Sequence, residues 1–175
     1  MLKNSEFFKK LMYKLGDYVI RQCDKNDIKE VIDINWNTLP EHYTEYFFID
    51  ILNQYPETFL VSEHVMDGKI TGYIMCRIEY GISNLKRLKF TRKGHIISVA
   101  VLEKYRGKSI GKTLVIEALK SMREKKCSEV YLEVRRTNLE AVALYKKIGF
   151  THNSLLERYY QDGESASLMV KQLSE

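Results

Sequence analysis

The spacing of apolar residues changes several times between a period of two and a period near 3.6. Two-residue alternation and short apolar runs predict strands at 18–23, 58–64, 69–80, 94–101, 129–134, 150–158 and 165–172. Helical spacing predicts helices at 24–38, 45–54, 109–126 and 138–148. Strand–helix alternation in the second half requires parallel pairing, whereas the turn at Asp67-Gly68 requires an antiparallel hairpin. The pattern therefore predicts an α/β fold with a mixed sheet of about seven strands flanked by helices.

The segment before the first predicted strand carries its own signal. Five apolar residues fall at helical spacing there: Phe7, Phe8, Leu11, Met12 and Leu15. They predict a short helix that packs on the domain, and their run is far shorter than the ~20 residues of a membrane span. The chain has 175 residues and no repeat or Pro/Gly-rich linker. We therefore expect a helical extension over 1–16 and a single domain over 17–175.

Cysteine content and charge limit the chemistry. The three cysteines are odd in number and lack metal-ligand spacing, so we expect neither a disulfide framework nor a metal site, and a cytoplasmic protein. The net charge is +5 for the chain but +8 over residues 86–112. This local surplus fits a small polyphosphate ligand better than a nucleic-acid duplex, which needs a broad basic face. A set of solvated lysines is the alternative.

The stretch "SVAVLEKYRGKSIGKTLVIEAL" (98–119) predicts a strand that passes through a basic turn into a helix. Unpaired N–H groups and the positive end of the helix dipole make such a turn an anion site. The predicted site comprises Arg106, Gly107, Lys108, Ser109, Ile110, Gly111 and Lys112. Its glycines match neither the dinucleotide fingerprint nor the P-loop. A glycine-containing turn without a ligand is the alternative.

Two motifs in the second half resemble those of one enzyme superfamily. Residues 106–111 read R-x-x-S-x-G, similar to the [QR]-x-x-G-x-[GA] acetyl-CoA loop of GNAT acetyltransferases, with Ser109 in place of a glycine. "NLEAVALYKKIGF" resembles the superfamily's N-x-x-A-x-x-[LF]-Y-x-K-x-G-F segment. The segments "LPEHY", "GHIISVAV", "YLEVRRTN" and "YYQDGESASLM" resemble the catalytic subunit of NatA-type protein N-terminal acetyltransferases and its archaeal counterparts. Bacterial RimI enzymes are more distant relatives, and the resemblance covers roughly residues 17–173.

The resemblance implies transfer of the acetyl group from acetyl-CoA to the α-amino group of protein N-termini. The amine attacks directly in a ternary complex, and no metal takes part. Acetyl-CoA would lie in the cleft between the fourth and fifth predicted strands. The backbone of Val99, Ala100 and Val101 would bind the pantetheine arm and the oxyanion, and Asn138 would also hold the pantetheine. Tyr145 would face the CoA sulfur and protonate the thiolate.

Proton removal from the amine is assigned by the same resemblance to His95 and Glu133. An α-amino group has an ordinary pKa of about 7.7 to 8.0, so a weak base is sufficient. Other interpretations of each residue remain open. His95 can be a polar residue at the start of a strand, and Glu133 can form a structural salt bridge with Arg135 or Arg21. Tyr145 can be a core aromatic.

The acceptor would bind between two segments that are distant in sequence. Their residues are Leu39, Pro40, Glu41, Tyr43, Tyr159 and Tyr160. Glu41 resembles an acidic residue that favours small first residues over Met. The expected partners are peptide and protein N-termini, with ribosome association left open. An auxiliary subunit is neither required nor excluded, and we expect no membrane and no specific nucleic-acid partner.

Three other functions compete with this prediction. The first is acetylation of lysine side chains or small amines, which would leave "LPEHY" and "YYQDGE" unexplained. The second is a ribosome-binding or nucleic-acid-binding module that uses the basic loop 84–93. The third is a CoA-binding regulator without catalysis, against which the presence of His95, Glu133 and Tyr145 argues.

Overall fold

The structure is a computed structural model that describes residues 11–86 and 88–173. Its strands are β1 Leu11–Leu15, β2 Tyr18–Gln22, β3 Phe59–His64, β4 Ile70–Ile82, β5 Phe90–Val101, β6 Glu129–Arg135, β7 Thr151–Leu156 and β8 Ala166–Gln172. Its α-helices are α1 Ile28–Thr38, α2 Glu45–Gln54, α3 Ile110–Glu124 and α4 Leu139–Ile148. The strands form one sheet in the order β1-β2-β3-β4-β5-β6-β8-β7. Only β5 and β6 pair in parallel, so the predicted mixed α/β sheet is confirmed.

The predicted N-terminal helix is wrong over residues 11–15, the part of it that forms a described strand. Leu11–Leu15 form β1, an eighth strand that pairs antiparallel with β2 through a turn at Gly16. The pairing register shifts between Leu11 and Tyr13, and such a bulge breaks the two-residue alternation. Met12 and Leu15 therefore both reach the core although they are three residues apart. Phe7 and Phe8 lie outside the described residues.

Two hydrophobic cores cover the two faces of the sheet. One face packs on α3 and α4 through residues such as Ile74, Leu114 and Met122, all fully buried. The other packs on α1 and α2 through residues such as Phe48 and Tyr73. The three cysteines are buried. In the part of the chain that the structure describes, no helix is both long and apolar enough to cross a bilayer.

The start of α4 differs from expectation. The sequence predicts a capping box of Thr137 and Glu140, but Asn138 is the N-cap and its side chain accepts from the N–H of Ala141 at 3.1 Å. The Thr137 hydroxyl instead donates to Glu164 at 2.7 Å. The loop before α4 is thereby fastened to the hairpin between β7 and β8.

The contact between β5 and β6 is short. They pair only where Lys93, Gly94 and His95 face Glu129, Val130 and Tyr131. Among the described residues, β5 then runs on to Val101 and β6 to Arg135 without further pairing to each other. This divergence leaves a gap in the middle of the sheet, called the strand gap below.

The basic residues do not form one patch. Lys86, Lys89, Arg92 and Lys93 lie around the start of β5, and the basic residues of 104–112 follow its end. At roughly 3.3 Å per residue, β5 separates the two groups by about 35 Å. The surplus of charge over 86–112 is therefore divided between the two ends of β5, because β4 and β5 extend further than the polar sequence around them indicates.

Candidate active site

The edge of β5 that faces the strand gap carries backbone groups that pair with no strand among the described residues. Leu102 donates its N–H to Thr71 of β4 at 3.0 Å. Because antiparallel residues alternate between bonded and non-bonded pairs, Ala100 also bonds towards β4, whereas Val99 and Val101 direct their polar groups into the strand gap. The Val101 carbonyl accepts from Arg106 Nε there at 3.1 Å. Val99 and Val101 thus fit the predicted backbone site, whereas the bonding groups of Ala100 face the other way.

His95 and Glu133 meet where β5 and β6 begin to diverge. His95 Nε2 lies 2.7 Å from Glu133 Oε2, and their side chains are only 11% and 15% exposed. Neither alternative salt bridge of Glu133 forms. Arg21 instead binds Asp27 and Glu63, and Arg135 binds other carboxylates.

The imidazole of His95 is supported by a stacked tyrosine, Tyr131. The ring of Tyr131 lies 4.4 Å from that of His95, centroid to centroid, with the planes 7° apart. The Tyr131 hydroxyl donates to Glu79 at 2.6 Å, and Arg77 and Lys93 pair with the same carboxylate at 3.2 and 3.7 Å. Burial raises the carboxyl pKa of Glu79, but Tyr131 and the cations outweigh it, so the net shift is downward. Sequence reasoning missed this support, although Tyr131 and Glu133 share a face by two-residue spacing.

The turn 106–112 has the form of an anion site. Gly107 and Ser109 both adopt positive φ, at 74° and 62°. In the described chain, N–H groups 107–109 donate to no backbone carbonyl, and those of 110–112 lie in the first turn of α3, where no intrahelical acceptor exists. Ser109 thus adopts the left-handed conformation that glycine favours. Its side chain makes no capping hydrogen bond to α3.

The remaining residues of the predicted donor site are partly engaged. Lys108 Nζ donates to the Tyr18 hydroxyl at 2.9 Å, Ile110 is buried, and Lys112 is exposed. Asn138 uses its side-chain oxygen to cap α4, so only its amide NH₂ is left for a ligand.

Tyr145 is a core aromatic that also carries an ionisable hydroxyl. Its ring packs against Phe150 with centroids 5.7 Å apart, and 6% of the residue is exposed. Burial raises the pKa of Tyr145 well above its ordinary value, and the neighbouring Cys76 adds to the shift. The phenol therefore stays protonated at neutral pH, as a proton donor must.

Two chain segments, called walls below, lie beside Glu133 on the α1–α2 face of the sheet. The first is the segment 39–43 between α1 and α2, called the acceptor loop below. It contains Leu39, Pro40, Glu41 and Tyr43. The second is the turn between β7 and β8, where the rings of Tyr159 and Tyr160 meet edge to face with centroids 5.1 Å apart.

The two walls lie close to one another, since Arg135 binds Glu41 in the first and Asp162 in the second. Burial raises the pKa of Tyr43 to about 12, and the carboxylates of Glu41 and Glu133 and the Tyr159 hydroxyl add to the shift. Burial likewise raises the pKa values of Tyr159 and Tyr160, with a contribution from Glu133 to both. Glu133 therefore lies within range of three acceptor tyrosines. The structure therefore brings Tyr43, Tyr159 and Tyr160 to the region of Glu133, whereas Leu39 packs against the core of the α1–α2 face.

Arg135 joins the two walls, and sequence reasoning did not assign it this role. Its guanidinium binds Glu41 of the acceptor loop, and Asp162 and Glu164 of the opposite turn at 2.7 and 2.6 Å. It also lies 4.1 Å from the centre of the Tyr160 ring. Arg135 follows Glu133 by two residues and so shares its face, which is the one signal the sequence offers.

Together these features define an acyltransferase site: an anion turn at a helix start, a strand edge exposed in a gap, and an acid–base pair. The protein belongs to the acetyltransferase (GNAT) family, which residues 28–150 match. It is 46% identical to an N-alpha-acetyltransferase of Saccharolobus solfataricus, over 90% of this chain and 94% of that protein.

Two solved structures are similar to it. Ard1 from Thermoplasma volcanium has a TM-score of 0.76 and 31% identity, covering 91% of this chain and 99% of that chain. A chain of the NatC complex bound to Gag peptide and CoA has a TM-score of 0.81 and 26% identity, covering 90% and 99%.

Proposed function

We propose that this protein transfers the acetyl group of acetyl-CoA to the α-amino group of protein N-termini. The observation that carries the proposal is the position of Glu133, which lies between the strand gap and the two acceptor walls and is hydrogen-bonded to His95. The amine attacks the thioester directly, in a ternary complex. The similarity to N-alpha-acetyltransferases over nearly the whole chain supports the same reaction.

The donor lies in the strand gap. Its pyrophosphate is held by the backbone of the turn 106–112, and its pantetheine pairs with the Val99 and Val101 edge and with the amide of Asn138. The N–H groups at that edge stabilise the oxyanion, because they are already fixed by the strand before charge develops. The Tyr145 hydroxyl protonates the departing thiolate. Ala100 contributes through packing only, since its polar groups bond towards β4.

The proton of the attacking amine goes to Glu133. An ionised carboxylate only accepts hydrogen bonds, so His95 Nε2 carries the proton of the 2.7 Å contact. His95 Nδ1 is buried and has no protein partner in the described residues, whereas Glu133 contributes to the pKa shifts of Tyr43, Tyr159 and Tyr160. His95 therefore orients Glu133 and stabilises its charge. In this proposal Glu133 is the base, and His95 is the residue that positions it.

The acceptor is the end of a chain. Tyr43 on one side and Tyr159 and Tyr160 on the other bind the first residues, with Leu39 and Pro40 shaping the wall. Glu41 is held by Arg135, so it limits the first side-chain pocket and is not a free charge. The walls are joined at Arg135, which closes the groove to a chain that continues in both directions.

The test is regiochemical. A peptide with a free N-terminus and one internal lysine is incubated with acetyl-CoA, and mass spectrometry locates the acetyl group. We expect the α-amine to be acetylated first, and a matched peptide with a blocked N-terminus to remain unmodified. Tyr160→Ala is expected to raise the peptide KM and leave acetyl-CoA binding intact. Acetylation mainly at lysine, or turnover of polyamines without peptides, would overturn the proposal in favour of another amine acceptor.

The cellular setting is part of the proposal. The enzyme acts in the cytoplasm as a single domain over 17–175, with β1 completing its sheet, and an auxiliary subunit is not required. Association with ribosomes would bring it to emerging chains. A sedimentation assay of the protein with ribosomes, at increasing salt, tests that association.

A further inference from the structure

Three buried polar side chains connect the acceptor loop with the strand gap. Asn35 lies near the end of α1, Tyr73 on β4 and Ser98 on β5, and they are 0%, 0% and 7% exposed. Asn35 Nδ2 donates to the backbone carbonyl of Glu41 at 3.1 Å and to the Tyr73 hydroxyl at 3.0 Å. The Tyr73 hydroxyl lies 2.7 Å from Ser98 Oγ. They form one continuous chain of hydrogen bonds.

The chain has a defined direction at Asn35. A backbone carbonyl only accepts, so the Asn35 group that faces Glu41 is the NH₂, and it must also donate to Tyr73. The phenolic oxygen therefore accepts from Asn35, and either hydroxyl can donate in the contact between Tyr73 and Ser98. Burial raises the pKa of Tyr73 to about 12, so the phenol keeps its proton at neutral pH.

Both ends of the chain hold backbone that the proposed reaction uses. The carbonyl of Asn35 accepts from the Leu39 N–H at 3.0 Å, so one residue fixes the acceptor loop through its backbone and its side chain. At the other end, the β4–β5 register shifts next to Ser98, because Ile97 is an extra residue without a β4 partner. The bulge directs the Ile97 carbonyl to the Tyr43 hydroxyl at 3.5 Å.

Core packing alone does not account for these residues. Asn35 Oδ1 is buried without a protein partner in the described residues, and an apolar residue of similar size avoids that desolvation cost. The polar chain is instead suited to hold two backbone segments at a fixed separation.

We propose that Asn35, Tyr73 and Ser98 are positioning residues that set the acceptor loop against β5, so that a bound amine meets the acetyl group. This inference rests on the proposed function, because it assigns the loop to the acceptor. The three side chains touch neither substrate. They act through the Glu41 carbonyl at one end and the bulge of β5 at the other.

The test compares two hydroxyl deletions on the same strand. Tyr73→Phe breaks the chain. Thr71→Val removes an equally buried hydroxyl that binds only Ser62. We expect Tyr73→Phe to raise the peptide KM about fivefold, as for one lost neutral hydrogen bond, and to leave the acetyl-CoA Kd unchanged. Thr71→Val is expected to change neither. Equal effects of both variants, or an unchanged KM in Tyr73→Phe, would overturn the inference.

A second variant separates positioning from stability. Asn35→Leu keeps the size of the side chain and removes the unpaired oxygen, so we expect a Tm close to wild type but a raised peptide KM. Hydrogen exchange of the acceptor loop is expected to be faster in Asn35→Leu and Tyr73→Phe than in Thr71→Val. If wild type acetylates peptides but hydrogen exchange of the acceptor loop is unchanged in Asn35→Leu and Tyr73→Phe, the inference is overturned. If wild type acetylates no peptide, the proposed function fails, and the exchange comparison alone shows whether the chain fixes the loop.

Discussion

Replacement of Glu133 by glutamine tests which member of the acid–base pair takes the proton. The variant keeps the size of the side chain and an oxygen that can accept from His95, but it removes the negative charge and the basicity. We expect kcat to fall much further than acetyl-CoA binding weakens. In His95→Ala we expect a smaller loss of kcat, because this variant removes only the group that orients the carboxylate.

The magnitudes follow from the contacts. A general base contributes about 10²–10⁴-fold, which is the expected loss for Glu133→Gln. A hydrogen bond to a charged group contributes about 1.5–3 kcal/mol, or roughly 10- to 150-fold, which limits the loss in His95→Ala. His95→Gln keeps an N–H donor and is expected to recover part of the lost kcat.

With an ordinary α-amine pKa near 7.8, about one seventh of the acceptor is neutral at pH 7 and nearly all at pH 9.

The assay is steady-state transfer to a saturating peptide at pH 7 and pH 9, with acetyl-CoA affinity measured by calorimetry. Between pH 7 and pH 9 the kcat of Glu133→Gln is expected to rise by up to about sevenfold more than that of wild type, since the medium then removes the proton of the amine. The exposed Glu124→Gln serves as the control for a lost carboxylate. A larger loss in His95→Ala than in Glu133→Gln, or no gain with pH, would refute the assignment.

Three further outcomes are expected. Arg135→Ala should raise the peptide KM about tenfold because it disconnects the two acceptor walls, while the exposed Arg136→Ala stays near wild type; equal KM values would contradict the clamp. Gly111→Val should weaken acetyl-CoA binding in calorimetry without lowering Tm, because a Cβ there meets only a valine methyl at 3.6 Å; unchanged affinity would remove the turn from the donor site. Gly94→Ala should lower the free energy of unfolding by about 1–3 kcal/mol, because its Cβ would overlap the sulfur of Met122; denaturant unfolding measures it.

Local pattern was sufficient for most of the fold but not for every element. The four described helices and six of the strands follow from periodicity, since they present apolar residues to one of the two cores. Strand β7 was also predicted, although it is mostly exposed. The strand Leu11–Leu15 does not, because its bulge imitates helical spacing. The anion turn could be recognised from its glycines and its position before a helix. That Ser109 adopts a left-handed conformation could not.

The site was predictable in its residues more than in its contacts. Glu133 is conspicuous in an apolar strand, yet the sequence offered Arg135 and Arg21 as partners as readily as His95. Each arginine is taken by carboxylates brought close only by the tertiary fold, and Arg135 meets Glu41 across 94 positions of sequence. Pairings at such distance leave no periodic trace. The polar chain from Asn35 to Ser98 was invisible for the same reason.

The three-residue contact between β5 and β6 links the stability of this protein to the concentration of acetyl-CoA. A ligand that bonds to the Val99 and Val101 edge bridges two parts of the sheet that are otherwise joined along a short seam. Any ligand that binds the native state alone stabilises it by RT ln(1 + [L]/Kd), about 2.7 kcal/mol at a hundredfold excess over Kd. Resistance to heat and to proteolysis should therefore rise and fall with the concentration of acetyl-CoA, so that a cell poor in the donor would also hold less of the enzyme.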